Sequence, residues 1–400
     1  MKLVLRLLPI LGITFIDIFG FSILIPIVPL FAQHFGASDL VIGLLFATFS
    51  AFQFVAGFVW GRVSDLIGRK AVLIISQIGA TFGWVMLAFA KTLPIVFLAR
   101  IIEGASGGNI SVTQAYVADK VEPAQRSRAF GLVGASFAAG MVFGPLFGAP
   151  LYNMYGFPAP FLFAAALQLI TLILTIFMLP ESRTAAERSQ VATASDIVGS
   201  LTHGKIAPLL WQQWMYSLAL YAMFAVFSLY FKAALHYDVT QIYYLFAAFA
   251  VTNVILQGFV VGPVSEALGD RRCSNLGLAL AIVSFCVVPF VHDLVGVAFM
   301  MLPFSAGMAL ARPTLASLIT DRTPDNQRGV ILGTGSSLDS VSGMIMPPVS
   351  TGLLGMYGPA FVSIPSTLFS LVSLTMGLIA ARKENNDAPA AVLESTAAAD

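Results

Sequence analysis

Apolar residues run along the chain in stretches of about 20, broken by short polar or glycine-rich punctuation. A helix rising about 1.5 Å per residue crosses a hydrocarbon core of about 30 Å in about 20 residues. Each stretch therefore predicts one spanning helix. The expected spans are 7–31, 41–60, 71–90, 94–118, 129–152, 159–180, 208–231, 241–261, 274–291, 295–319, 329–355 and 360–381. The pattern predicts an all-α membrane protein with twelve transmembrane helices. The polar segment 182–207, rich in Ser, Thr and Ala, predicts a cytosolic linker dividing the chain into six-helix bundles at 1–181 and 208–382. The tail 383–400, KENNDAPAAVLESTAAAD, is expected to be disordered.

Of the 400 residues, 58% are apolar and 10% charged, against about 25% charged in a soluble domain. A soluble globule of this length is excluded. The formal charge of +1 leaves no basic surplus for a phosphate backbone, so no nucleic-acid partner is expected. The distribution of charge says more than its sum. With the N-terminus in the cytosol, 17 of the 21 Lys and Arg fall in cytosolic segments, and only Lys91 and Lys232 at outer ends. The positive-inside rule then puts both termini in the cytosol. Arg100 and Arg312 lie inside spans. Cys273 and Cys286 are too few for a disulfide framework, and the four histidines form no ligand cluster, so no metal and no cofactor are expected. Neither a phosphate loop nor a His, Ser and acid set points to an enzyme or to ATP as energy source.

The halves repeat. Gly61, Asp65 and Gly68 in GRVSDLIGRK match Gly262, Glu266 and Gly269 in GPVSEALGDR, 201 positions on (61 to 262). Asp119, Gln125, Arg126, Gly131 and Pro145 match Asp321, Gln327, Arg328, Gly333 and Pro347, 202 positions on (119 to 321). Parallel copies are expected of a transporter that rocks two bundles about a site near the midplane.

In the loop, Gly61 and Gly68 permit close helix ends and a tight turn, while Asp65 can cap a helix or pair with Arg126 and Arg128. In the fourth span, Arg100, Glu103, Gly104, Gly107, Ser111 and Gln114 share about 100° of arc. Two charges on one face imply a water-filled cavity or pairing at i, i+3. In the fifth span, Gly140, Gly144 and Gly148 are four apart with Pro145 between them, which suits close helix packing with a bend.

GRVSDLIGRK resembles the loop-two-to-three signature of the major facilitator superfamily, and the fourth span resembles that family's fourth-helix motif. The resemblance implies a latch on the outward-facing state built from Gly61, Asp65, Gly68, Arg69, Lys70, Asp119, Arg126 and Arg128. GMVFGPLFGAP is similar to the fifth-helix motif of the superfamily's antiporters. The first span, ITFIDIFGFSILIPIVPLF, and the run from Arg100 to Arg183 look like the tetracycline and multidrug proton antiporters. This implies a monomer in a bacterial inner membrane, with protons, lipid and a small-molecule substrate as partners, and a part for Asp17 in proton coupling. One departure stands out. Where the tetracycline exporters carry an acid in the third helix, this chain has GATFGWVMLAFA, with Gly83 or a close neighbour at that place and no acid in the span.

Proton coupling is expected of Asp17 first, then Glu103, with Arg100 setting their proton affinity and Asp339 a further acid. Counting at 1.5 Å per residue puts Asp17 about 16 Å and Arg100 about 28 Å from the cytosolic ends of their spans, and Arg312 and Asp339 about 13 and 16 Å from theirs. The last two are expected to meet as a buried pair. Tyr221 and Phe224 belong to an aromatic stripe on the seventh span, and Asn253 and Gln257 stand at i, i+4 on the eighth. The expected cavity is lined by Arg100, Glu103, Ser111, Gln114, Tyr221, Phe224, Asn253, Gln257 and Arg312. The reading is a proton-coupled exporter of small amphipathic organic compounds. Two rivals stay open: an importer or facilitator of a small metabolite anion with Arg100 and Arg312 as ligands, and a non-transporting receptor or scaffold.

Overall fold

The structure is a computed structural model of the full chain. It describes residues 2–107, 112, 113, 116, 117, 120, 121, 125–181, 199, 206–323 and 328–397. Among these there are thirteen α-helices and no strand. A backbone in hydrocarbon has no water to bond, and the helix satisfies every amide within its own segment. The helices are α1 (Lys2–His34), α2 (Asp39–Ile67), α3 (Arg69–Ala88), α4 (Leu93–Ala105), α5 (Arg126–Tyr155), α6 (Pro158–Met178), α7 (Ala207–Leu235), α8 (Val239–Phe259), α9 (Val261–Leu268), α10 (Asp270–Val287), α11 (Leu294–Asp321), α12 (Arg328–Tyr357) and α13 (Ile364–Ala397). Ten of them are long and apolar enough to cross a membrane. The other two expected spans correspond to α4, which is only 13 residues long, and to α12, diluted by its GTGSSLDSVSG stretch. The short α9 prolongs α8.

Two expectations are corrected. The fourth span is not one unbroken helix, because α4 stops at Ala105 where GASGG brings in small residues of poor helix propensity. The Gly107 amide turns back to the Gly104 carbonyl at 2.8 Å, a tight final turn. The tail is not structureless either, since α13 continues to Ala397.

The repeat shows in the backbone. Gly68 between α2 and α3 has φ 99°, and its copy Gly269 between α9 and α10 has φ 76°. A left-handed residue at each point lets the chain reverse between helices in no more than one residue, which only glycine does without strain. By packing, the chain separates into two compact units, Met1–Ala192 with Tyr221–Val251 and Ser340–Val362, and Thr193–Leu220 with Thr252–Asp339 and Ser363–Asp400. One division point falls within the expected linker, between Ala192 and Thr193, and others fall within α7, α8 and α12.

The first unit has a core of Leu7, Ile10 and Ile13 from α1 with Val72 and Leu73 from α3 and Val117. In it α1 and α5 approach closely, since a Cβ on Gly140 would lie 2.9 Å from the Phe15 carbonyl and the Phe19 amide. The second unit closes α10 onto α11 in the same way, with Gly277 and Gly307 each facing the other helix's backbone.

Candidate transport site

In the first unit the polar centre lies on α4. Arg100 and Glu103 form an ion pair one turn apart, both about 95% buried, and the guanidinium stands 5.0 Å from the centroid of the Phe49 ring on α2. The end of α4 leaves carbonyls without helical partners. Trp60 on α2 donates its indole N–H to the Ala105 carbonyl at 2.7 Å, and the Ser76 hydroxyl on α3 donates to that of Ser106. The Arg100 Nε, one Glu103 oxygen and both Gln77 amide atoms are buried without a hydrogen-bond partner among the described residues. Such groups carry a desolvation cost unless a ligand or solvent meets them.

Asp17 on α1 accepts a hydrogen bond from Gln168 Nε2 on α6 at 2.9 Å. Gln168 is buried and was not among the expected site residues, although a lone amide inside the apolar run FAAALQLITLI is a readable signal. Ser111, Gln114 and Asp119 lie outside the described residues, as do the side chains of Asp65, Arg126 and Arg128.

In the second unit Arg312 Nη2 stands 3.4 Å from Asp339 Oδ2, so the expected pair forms. Its burial differs from the expectation, because the Arg312 side chain is 60% exposed and that of Asp339 21%. Ser217 on α7 donates its hydroxyl to Asp339 Oδ1 at 2.5 Å. Gln257 donates to Asn253 at 2.6 Å, and Asn253 to the Ser305 carbonyl of α11 at 3.3 Å. These amides tie α8 to α11. Of the expected aromatic stripe, Phe224 packs edge-on against Phe227 and Phe249, and the Tyr221 ring lies beside Gly343 of α12.

The expected latch is tied to the end of α6. The Arg69 and Lys70 amides, the first two of α3, donate to the Glu181 carboxylate at 2.9 and 3.2 Å. Lys70 Nζ donates to the Ile176 carbonyl at 2.7 Å, and the Arg69 guanidinium to the Ser64 hydroxyl. A helix N-terminus favours a carboxylate for its free amides and its dipole. Sequence reasoning left Glu181 at the edge of the linker, and its use as a cap for a helix 111 residues earlier carries no local signal. In the repeat the charge is exchanged, for Asp270 accepts from Ser265 where Arg69 donates to Ser64.

At the opposite ends of the helices α5 meets its neighbours through its glycines. The Ser22 hydroxyl on α1 donates to the Gly140 carbonyl at 2.9 Å. Gly148 leaves room for the fully buried ring of Tyr243 on α8, whose hydroxyl donates to the Ile23 carbonyl of α1 at 2.9 Å. Gly43 on α2 lies against the Pro347 and Pro348 backbone of α12. Lys232 donates to Gln33 at 2.8 Å and Thr240 to Asn153 at 2.9 Å.

A sequence profile of the Major Facilitator Superfamily matches residues 10–233 and 209–397, nearly the whole chain. The chain belongs to this superfamily. It is a transport protein and not an enzyme. Among its relatives is the class C tetracycline resistance protein of Escherichia coli, 28% identical over 355 residues, which cover 87% of this chain and 89% of that protein. Another is multidrug resistance protein 2 of Bacillus subtilis, 27% identical over 386 residues and 94% of each chain. Facilitators also stand out among solved structures. The human organic anion transporter MFSD10 (TETRAN) superposes with a TM-score of 0.74 at 19% identity, covering 93% of this chain and 98% of that one. The nucleoside transporter NupG gives 0.73 at 12%, again covering 93% and 98%. At these identities the structures establish the fold, that of the major facilitators.

Proposed function

We propose that this facilitator is a proton-coupled antiporter that exports small amphipathic organic compounds across a bacterial inner membrane, working as a monomer with both termini in the cytosol. The observation that carries the reading is the Arg100–Glu103 pair sealed inside α4. A charge within a span costs about 3 kcal/mol on insertion scales, and a pair is kept at that depth where it has work to do. The relatives named for tetracycline and multidrug resistance support export of small organic compounds. The fifth-helix glycines Gly140, Gly144 and Gly148 with Pro145 agree with antiport.

In this reading Asp17, Glu103 and Asp339 carry protons, with Arg100 competing for the Glu103 carboxylate. Burial favours the neutral acid and a guanidinium the carboxylate, so a helix movement that changes the pairing loads or unloads a proton. Cavity walls come from Ser111, Gln114, Tyr221, Phe224, Asn253, Gln257 and Arg312. The contacts of Gly43, Gly148 and Tyr243 act as the closed outer gate. On the cytosolic side Gly61 to Lys70, with Asp119, Arg126 and Arg128, form the latch of the opposite state, for which Glu181 holds α3 in place. Two six-helix bundles exchange these closures about a fixed site. The test is uptake by proteoliposomes of a compound panel with and without an imposed pH gradient. Uphill movement on the gradient supports the reading, and gradient-independent equilibration overturns antiport.

A further inference from the structure

We propose that Gln77 holds internal water between α1, α3 and α6 and, through it, positions the Asp17 carboxyl for proton exchange. The inference rests on the reading of Asp17 as a proton carrier and adds a residue to its surroundings.

Gln77 is fully buried on α3, and neither its Nε2 nor its Oε1 has a hydrogen-bond partner among the described residues. An amide left unmet inside a span carries its whole desolvation cost. Ordered water meets such a group where other polar side chains stand within reach.

Three helices of the first unit meet in register around it. A Cβ on Gly20 of α1 would lie 2.9 Å from the Trp84 ring of α3 and 3.5 Å from the Ala164 carbonyl of α6. Seven residues return a helix to nearly the same face, about 10.5 Å along its axis. Seven residues from that layer stand Ile13 on α1 (20 to 13), Gln77 on α3 (84 to 77) and Thr171 on α6 (164 to 171). The contact of Lys70 with the Ile176 carbonyl keeps the antiparallel register of α3 and α6, and Ile10 and Ile13 pack in one core with Leu73. Thr171 is fully buried and donates to the Leu167 carbonyl at 3.0 Å, which leaves its oxygen able to accept.

The hydrogen-bonded Asp17 and Gln168 lie between these two layers, one turn from Gln77 and Thr171. At 1.5 Å per residue the step is about 5 Å, a gap that one water bridges. The water accepts from Gln77 Nε2 and donates to Asp17 and to Thr171 Oγ1, partners enough for an internal site. Asp17 then has two donors, Gln168 and the water, and both favour the carboxylate. Titratable residues of the helices packed on α1 stand near helix ends: Asp39, Arg62 and Asp65 on α2, Arg126, Arg128, Tyr152 and Tyr155 on α5, and none on α6. Arg69 and Lys70 likewise begin α3, and on α4 Arg100 is paired with Glu103.

The measurement is an infrared pH titration of the purified full chain in detergent, in which the Asp17 C=O band is the one that Asp17→Asn removes. In Gln77→Leu its midpoint is expected about 0.5–1 pH unit higher, since a donor to the carboxylate is lost. Thr171→Val keeps the size of the side chain and is expected to move the midpoint the same way by less, which serves where Gln77→Leu fails to fold. In heavy-oxygen water the parent should show an O–H stretch that shifts with the isotope and disappears in Gln77→Leu. A parental midpoint in both variants, a midpoint moved to lower pH, or no isotope-sensitive band lost in Gln77→Leu each overturns the inference. The proton-carrier reading is read out separately by chloramphenicol flux in proteoliposomes. Gradient-driven flux beside an unmoved midpoint sinks the water site alone, and a moved midpoint with gradient-driven flux indifferent to Asp17→Asn sinks the proton-carrier reading alone.

Discussion

Glu103 occupies the place of a side chain at position 83: its Cγ lies 2.6 Å from where a Cβ on Gly83 would stand. The absence of an acid on α3 is therefore matched by an acid that reaches across from α4. The second nearest group is the Ala99 carbonyl at 3.3 Å, a backbone atom that cannot yield easily. Gly83→Ala is expected to displace Glu103 and to cut gradient-driven transport several-fold at a stability cost of about 1–3 kcal/mol, as for overpacking. The double variant Gly83→Asp with Glu103→Ala moves the carboxyl to α3, and it should recover transport that Glu103→Ala alone lacks. If the double variant is as inactive as the single one, the carboxyl must come from α4 and the shared place has no functional meaning.

Glu181 joins the start of α3, in the loop proposed as the latch, to the end of α6. Its carboxylate accepts two amides, and Glu181→Gln keeps the size of the side chain while removing the charge that the helix N-terminus favours. The loss is expected to be about 1 kcal/mol in thermal unfolding of the purified protein. Turnover in proteoliposomes should fall more than substrate affinity in detergent, as it should for Asp65→Asn in the same loop, because both change a conformational equilibrium and leave the cavity intact. Equal losses in binding and turnover would place Glu181 in folding or in the site.

Tyr243→Phe deletes the hydroxyl that reaches the Ile23 carbonyl and keeps the ring under Gly148. A neutral buried hydrogen bond contributes about 1 kcal/mol, so the balance between open and closed outer ends should shift about fivefold towards open. Gly148→Val fills the ring's place and should shift it further. The measurement is labelling of a cysteine at Ser38 by a membrane-impermeant maleimide, in a chain whose Cys273 and Cys286 are serine. Slower labelling in Tyr243→Phe would mean that the contact opens the outer end.

How much of this could be read in the sequence depends on the kind of residue. The helices were legible because a hydrocarbon solvent demands apolar runs, and α5 and α11 begin and end within a few residues of the expected spans, whereas α2 runs past its expected end to Ile67. The glycines of the repeat were legible because Gly68 and Gly269 serve turns that no other residue makes cheaply. The partners were not. Gln168 for Asp17, Ser217 for Asp339 and Glu181 for α3 are each 111 to 151 residues away in the chain, and even where a residue such as Gln168 stands out in its apolar run, nothing in the sequence says which residue it pairs with. Arg312 was expected to be buried because depth along a helix was counted but the direction of its face was not.

The expected orientation rests on the 17 cations assigned to cytosolic segments. A reporter fused after Lys383 should read cytosolic, and so should one inserted near Ala194. A periplasmic reading at either position contradicts the span count.

Asp17 is expected to be the principal proton carrier, and its structural setting sharpens the test. It is the only charged residue between Arg6 and His34, and Gln168 donates to its Oδ1 at 2.9 Å. Arg100, by contrast, is engaged with Glu103 in α4. Two acids on separate helices thus have different neighbours, one an amide and one a guanidinium, and only one of them needs to exchange its proton in each cycle. An amide donor is easily given up when helices move, because it carries no charge, whereas leaving Arg100 would strand a buried cation. This favours Asp17 over Glu103 as the group that cycles. In weak buffer, substrate added to the purified protein should release about one proton per transporter, and Asp17→Asn should abolish this release together with uphill transport. Glu103→Gln should keep part of the release and lower expression, since it leaves Arg100 buried without its partner. Gln168→Leu should retain the release at a changed pH, which a purely structural Gln168 would not affect. If Asp17→Asn still releases protons and still transports uphill, Asp17 is structural and the coupling belongs to Glu103 or Asp339.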